Sequence, residues 1–328
     1  MSESAGQWRG VESLQIDCGK VAGHIEESIR EMVGRRLHRR GVVVAVSGGV
    51  DSAVCAVLAA RALGSQRVLG LLLPEKDSAA DTTAKGRLVC EFAGIPCEIE
   101  DIAPALDALG CYRRRDEAVR RLFPEYGPGW RMKIAVAEHL LDQDRLNYFN
   151  LIVESPDGRQ DRRRMPLEVY LQVIAATSMK QRTRKLLEYY HAERLNYAVL
   201  GTPNRLEYDL GFFVRGGDGL ADLKPIAHLY KTQVYALARF LGLPAGICDQ
   251  PPSTDTYSMP QTQEEFYFAL PYEKMDMLLH AFLSNVAPER AGAALGLTRQ
   301  QVERVYRDIT VKRRTAEQLN QAPLLVTE

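Results

Sequence analysis

Apolar residues near the start of the chain recur first at helical spacing and then without interruption. Val21, Ile25, Ile29, Met32, Val33 and Leu37 mark one face of a helix, which Gly41 is expected to close. Residues 42–46, Val-Val-Val-Ala-Val, show no polar alternation, so they predict a strand covered on both faces. The same two patterns then take turns, predicting helix at 52–62, strand at 68–73, helix at 82–93 and strand at 97–102. Strands separated by helix-length connections run parallel, because a right-handed crossover returns the chain over the sheet.

Residues 111–165 break this rhythm. They hold the triplet Arg113-Arg114-Arg115, the turn-rich Tyr126-Gly127-Pro128-Gly129, and an alternating run at 149–154 before Pro156-Asp157-Gly158. A Pro-Asp-Gly turn between extended runs favours chain reversal, so an inserted helix plus a β-hairpin is expected here. A long helix at 167–194, a buried strand at 197–200 and a helix at 232–241 resume the alternation. Beyond Pro260 the pattern is helical, with Thr298 placed to start a helix. The expected organisation is an α/β, doubly wound parallel sheet over 1–260, interrupted at about 111–165, and a helical extension over 261–328.

Composition narrows the partners. Lys plus Arg number 42 and Asp plus Glu number 42, so no overall field draws the chain to nucleic acid or to an anionic membrane. No segment approaches the roughly 20 apolar residues of a membrane span, and residues 1–10 lack a signal-peptide core, so a cytosolic protein is expected. The six cysteines form no CxxC pair and have no His at metal-ligand spacing, which fits reduced structural thiols. The basic clusters at 113–121 and 159–164 read as solvated faces, although an insert beside a site can also cover an acceptor or recruit a partner.

The clearest chemical signal is Ser47-Gly48-Gly49-Val50-Asp51-Ser52, lying between an apolar strand and an Ala-rich helix. Glycines let the backbone turn tightly and approach a ligand, while the helix start directs amides and a positive dipole end at an anion. Ser47 and Ser52 are expected to add hydroxyl donors. The loop lacks the Lys and the spacing of a Walker A motif and is not GxGxxG, which disfavours γ-phosphate transfer and hydride chemistry.

These six residues resemble the pyrophosphate-binding SGGxDS loop of the N-type ATP pyrophosphatases, whose fold is adenine nucleotide alpha hydrolase-like. The resemblance implies that ATP is cleaved to AMP and pyrophosphate. Lys180-Gln181-Arg182-Thr183-Arg184 resembles the KxRxR helix of NAD synthetases, and Gly201-Thr202-Pro203-Asn204-Arg205-Leu206-Glu207 their GTxxxxE segment. Gly211-Phe212-Phe213, Gly217-Asp218-Gly219, Asp222-Leu223-Lys224-Pro225, Leu229-Tyr230-Lys231 and Pro252-Ser253 follow in that family's order. The set resembles the ammonia-dependent NAD synthetases from about residue 21 to 272, apart from the insert.

The resemblance implies roles residue by residue. Asp51 and Glu207 would share a Mg²⁺ ion, a hard cation that prefers carboxylate and phosphate oxygens. Ser47 to Ser52, Thr202, Lys231 and Ser253 would contact ATP, with Lys231 and Asp51 catalytic. Arg182, Arg215, Asp222 and Lys312 would hold the dinucleotide substrate. The chain differs from the family pattern in having Arg215 for the usual Lys, Val311 for the His that commonly precedes Lys312, and Pro260-Gln261-Thr262-Gln263-Glu264-Glu265-Phe266 for an acidic stretch. Taken alone, Asp51 reads as a first-turn anion and Lys231 as a surface lysine.

The implied reaction joins a small-molecule carboxylate to ammonia through an acyl-adenylate. No glutaminase segment is evident, so ammonia comes free or from a separate glutaminase, and a homodimer is the family's expected assembly. Alternatives at this stage are an amide ligase for a different carboxylate, a tRNA thiolase, disfavoured by the lack of cysteine pairs, and a non-catalytic nucleotide-binding module.

Overall fold

The computed structural model describes residues 8, 10–136, 149–252 and 256–326. Helix α1 (Cys18–Arg30) starts at the side-chain cap of Asp17 and buries Ala22, Ile25 and Ile29. Its coil widens over Glu31–Arg36, and the chain then reverses at His38, which has φ of 52°. The reversal therefore falls three residues before the glycine expected to provide it. Gly41 answers a different constraint, since a Cβ there would lie 2.2 Å from the Arg67 carbonyl oxygen.

Strand β1 (Val42–Ala45) leads through the glycine loop into α2 (Val50–Leu63). Next come β2 (Val68–Leu72), α3 (Thr82–Ala93), β3 (Cys97–Ile99) and the short α4 (Ala103–Ala108). The 111–165 segment supplies α5 (Cys111–Arg120), β4 (Arg131–Val136), β5 (Phe149–Glu154) and β6 (Gln160–Arg164). After it run α6 (Leu167–Leu195), β7 (Ala198–Leu200), α7 (Arg205–Leu210), α8 (Lys231–Phe240) and α9 (Ala245–Cys248). Three helices end the chain: α10 (Tyr272–Leu283), α11 (Pro288–Leu295) and α12 (Arg299–Leu319), the last capped by Thr298 as expected.

The main sheet has the order β3-β2-β1-β7, and every pairing is parallel. Alternate residues of β1 face opposite layers, as the period of a strand requires. Val42 and Val44 join α1, α2 and α8 in one core, while Val43 joins Leu69 and Leu71 with residues of α4, α5 and α6 in another. Because the chain leaves β1 for β2 on one side and returns to β7 on the other, the carboxyl ends of β1 and β7 form the crevice where doubly wound sheets bind ligands. The loops at 46–49 and 201–204 lie there.

The insert is more than a hairpin. β5 and β6 pair antiparallel around the turn at Ser155–Arg159, where Gly158 has φ of 84°, and β4 adds a third strand on the other side of β5. Its inner face, Met132, Ile134, Leu151 and Val153, packs with Ala118, Val119, Phe123, Val169 and Val173. A fourth core unites α10 to α12 with Leu206 and Leu210 of α7 and with Trp8 and Leu14. Among the described residues no helix is long and apolar enough to cross a membrane.

Lys180 in the KQRTR helix pins several of these parts together. Its ammonium, 1% exposed, donates to Glu75 (2.9 Å), Asp77 (2.6 Å) and the Thr256 carbonyl (2.8 Å). Arg115 of α5 reaches Asp77 as well, and Tyr112 donates to Glu75 at 2.9 Å. Removing one partner of a buried ion pair strands the others without water or countercharge. Lys180→Met is therefore expected to lower stability by about 3–5 kcal/mol in urea denaturation; a loss under about 1 kcal/mol would show that the cluster is solvated and not a pin.

Candidate active site

The loop 47–49 is shaped by one glycine and braced by two serines. Gly48 has φ of +79°, and a Cβ there would come 2.6 Å from the Lys85 Cβ of α3, so both conformation and space demand glycine. Gly49 has ordinary extended angles as the N-cap of α2. The Ser52 hydroxyl donates to the Gly49 carbonyl (3.0 Å) and accepts from the Ser47 amide (3.2 Å). Ser52, expected to offer its hydroxyl to an anion, thus fixes the loop from inside. No side chain caps α2, so its first-turn amides are left facing the crevice with the positive end of the helix dipole behind them.

Opposite this loop, the segment after β7 brings in the second carboxylate. Asn204 is fully buried and forms a reciprocal capping box with Glu207: its Oδ1 accepts from the Glu207 amide at 3.2 Å, and Glu207 Oε2 accepts from the Asn204 amide at 3.2 Å. The Asn204 Nδ2 donates to Asp51 Oδ1 at 3.1 Å, joining the β7 loop to the first turn of α2. Lys231, the first residue of α8 and 2% exposed, makes an ion pair with Asp51 Oδ2. Asp51, Glu207 and Lys231 therefore meet at one point although Asp51 and Lys231 are 180 positions apart in the chain.

Burial, and next the negative charge of Asp51, push the Glu207 carboxyl up to about 7. Burial works to lower the Lys231 pKa, but the adjacent Asp51 and Glu207 outweigh it and hold the ammonium above the ordinary lysine value. Asp276 of α10 accepts from the backbone amides of Lys231 (3.2 Å) and Thr232 (2.7 Å), and burial raises it to about 7. Gln263 Nε2 donates to Glu207 Oε1 at 2.9 Å.

The other expected site residues lie in different settings. Thr202 lies two residues beyond the end of β7 and is half-buried. Ser253 falls outside the described residues. Arg182 Nε donates to the Arg215 carbonyl at 3.2 Å, and Arg215 reaches the Gln321 carbonyl at 3.5 Å, so these two arginines stand together on an exposed face beside the C-terminal segment. Asp222 accepts from the Val199 amide (2.7 Å) and the Tyr189 hydroxyl (3.3 Å), sealing the open edge of β7. Lys312 turns inward to Asp308 (2.7 Å) and the Tyr267 carbonyl (2.9 Å), tying α12 to the 264–268 turn. Thus Arg182 and Arg215 come together, whereas Asp222 and Lys312 are engaged in holding the fold.

Sequence reasoning missed Asn204, Gln263 and Asp276. Asn204 carried a readable signal, because an Asn three residues before a Glu is a capping-box spacing. Gln263 and Asp276 had none, since each acts on a residue far away in the chain.

Two carboxylates suit a hard divalent cation. Each oxygen of Asp51 and Glu207 accepts one bond in this structure, and a carboxylate has about four lone-pair sites, so both groups keep capacity for a metal. Among the described residues one other set of potential ligands converges, Glu98, Glu100 and His191. Arg194 donates to Glu98 (2.6 Å) and to His191 Nδ1 (3.0 Å), so a guanidinium already balances it.

Comparison with known proteins identifies relatives of this chain. The profile of the NAD synthase family matches residues 21–123 and 132–316, so it runs through most of the segment that the sequence pattern set apart as an insert. An NH(3)-dependent NAD(+) synthetase from Rhizobium rhizogenes is 52% identical over 315 residues, covering 96% of this chain and 95% of that protein. One from Thermotoga neapolitana is 38% identical over 257 residues, or 78% and 82% of the two chains. The fold is shared with an NH3-dependent NAD synthetase from Campylobacter jejuni (TM-score 0.62, 20% identity, 95% and 100% of the chains covered). It is shared equally with an NMN synthetase from Francisella tularensis (TM-score 0.64, 20% identity, 96% and 100% covered).

Proposed function

The chain belongs to the NAD synthase family, and we propose on that premise that it joins ammonia to the carboxylate of nicotinate adenine dinucleotide, consuming ATP and releasing NAD, AMP and pyrophosphate. The observation that carries this reading is the convergence of Asp51, Glu207 and Lys231 in front of the uncapped amides of α2. In the first step a substrate carboxylate oxygen bonds to the α phosphorus of ATP while the α–β bridging oxygen leaves with pyrophosphate. In the second, the nitrogen of ammonia attacks the acyl carbon, AMP leaves, and the nitrogen loses a proton to solvent.

Neither step needs a protein nucleophile. Positioning and charge balance carry the rate. The loop amides of α2 receive the departing diphosphate, and Lys231 adds a positive charge where negative charge grows on it. Asp51 and Glu207 would hold Mg²⁺, which when bound supplies further neutralisation of the phosphate oxygens. Asp276, by anchoring the first two amides of α8, keeps Lys231 aimed at Asp51. Six free thiols suit a reducing compartment such as the cytosol.

We further propose a homodimer built on α6. Leu167, Leu171, Leu186 and Tyr190 stand exposed along one side of this helix, with Arg182 on the same side. Exposed apolar side chains at both ends of one helix are costly to leave in water and suit a two-fold related copy. Sedimentation is expected to give twice the chain mass; a monomer at micromolar concentration would remove this reading.

The activity itself is tested by mixing protein, ATP, ammonium and nicotinate adenine dinucleotide. NAD, AMP and pyrophosphate should appear in equal amounts, and Lys231→Met should lower kcat by roughly 10²- to 10³-fold. AMP formed with some other acid but no NAD would shift the assignment to a different carboxylate. No AMP with any acid would end it.

The pH dependence follows from Glu207. Its folded-state value of about 7 lies above that of an ordinary carboxyl, so protons occupy it at and below neutrality. A metal needs the deprotonated form. Mg²⁺ binding, followed by calorimetry, should therefore weaken by up to about tenfold per unit as the pH falls below about 7; equal affinity at pH 6 and pH 8 would contradict it.

A further inference from the structure

Gln263 stands at the end of a strap that is fastened to the insert. Over residues 256–265 the chain runs beside β4 and is tied to it repeatedly. The Met132 amide donates to the Ser258 hydroxyl (2.9 Å), the Met259 amide to the Met132 carbonyl (3.2 Å), and the Gln261 side chain to the Ile134 carbonyl. Lys133 forms an ion pair with Glu265 at 2.6 Å and also reaches the Pro260 carbonyl at 3.4 Å. Tyr257 is buried in the insert's own core, Met259 is buried as well, and Lys180 holds the Thr256 carbonyl. The far end is closed by the Gln263 amide, which donates to the Pro252 carbonyl at 3.1 Å.

From this fixed base the Gln263 amide group reaches Glu207. One carboxylate oxygen of Glu207 is held by the Asn204 amide at its own helix start, and the other by Gln263 from the strap. Two donors on opposite oxygens fix the plane of the carboxylate, and with it the direction of the lone pairs left over. A neutral amide does this without adding charge. A Glu or Asp in its place would face Glu207 as a like charge.

We infer that Gln263 is a positioning residue for cation binding, and that β4 of the 111–165 segment serves to hold it against Glu207. The inference rests on the reading of Glu207 as a cation ligand. It gives the segment an internal task, distinct from covering an acceptor or recruiting a partner.

The test uses Mn²⁺ alone, titrated into the full chain at pH 8 and followed by loss of the free-ion EPR signal. Gln263→Leu removes the donor while keeping most of the volume, and is expected to weaken Mn²⁺ binding roughly tenfold, the typical scale of a hydrogen bond to a charged group. Lys133→Ala, a change at the strap's far side, should weaken it about two- to threefold, a weak effect for a half-buried pair acting through the strap. In a Glu207→Gln background, Gln263→Leu should change nothing further, because the two residues act as a unit.

The outcomes separate the two claims. If wild type takes up no Mn²⁺, or if Glu207→Gln leaves the affinity unmoved, the metal reading of Glu207 falls and this inference with it. If Glu207→Gln weakens binding but Gln263→Leu and Lys133→Ala do not, Glu207 stands and the positioning role is overturned. Should Gln263→Leu fail to fold by circular dichroism, Lys133→Ala decides alone: unchanged affinity overturns the role, and weakened affinity supports it.

Discussion

The ion pair between Lys231 and Asp51 holds the site together in a place where electrostatics would ordinarily refuse a lysine. Lys231 is the first residue of α8, at the positive end of a helix dipole, and its ammonium is removed from water. Three acidic groups make the position tenable. Asp51 and Glu207 face the ammonium, and Asp276 takes up the two backbone amides whose partial charges would otherwise repel it. Asp51 in turn lies in the first turn of α2, where an anion is welcome. Two helix starts thus aim at one point, one bearing an anion and the other a cation. A phosphate drawn by the free amides of α2 would meet Asp51 as a like charge, and the Lys231 ammonium beside Asp51 offsets that charge.

Much of the fold was legible because its strands are covered on both faces. Residues 42–46 and 68–73 have no polar alternation, and the structure places them as neighbouring parallel strands in the middle of the sheet. The end of the first helix was misplaced because the turn is made by His38 in a left-handed conformation, whereas the nearby Gly41 is there to let the chain pass the Arg67 carbonyl. Strand β6 was legible only through the Pro-Asp-Gly turn before it, and β4 was not expected at all. The β6 sequence, Gln-Asp-Arg-Arg-Arg, contains no apolar residue, and its register is set by β5 and by Arg163 laid over the Phe123 ring, 4.4 Å from its centre. Without hydrophobic alternation there is no period to read, so the turn alone marked the hairpin.

The site was legible where it is local and obscure where it is not. Residues 47–52 carry their chemistry in a single strand-to-helix turn. Asp51, Glu207 and Lys231 could be grouped only through the order of motifs, since nothing in spacing brings such distant residues together. Lysines show the limit most clearly: Lys180, Lys231 and Lys312 look alike in sequence, yet one pins the fold, one faces the crevice, and one fastens α12 to Tyr267. Their difference is the set of acceptors around each, which only the folded chain supplies.

The same logic bears on the 111–165 segment. Its breaks in periodicity suggested an addition to a finished domain, but its charged groups are woven into the domain's own buried network. Arg115 of α5 meets Asp77 of the loop after β2, which also receives Lys180 of α6, and β4 backs the strap that ends on Glu207. A segment that merely sat on the surface could be lost without stranding a buried charge. Losing this one would leave Asp77 with only part of its countercharge and the strap with no strand to lie against. That dependence, together with a family profile that runs through residues 132–165, argues that the segment is part of the structure that holds Glu207 in place.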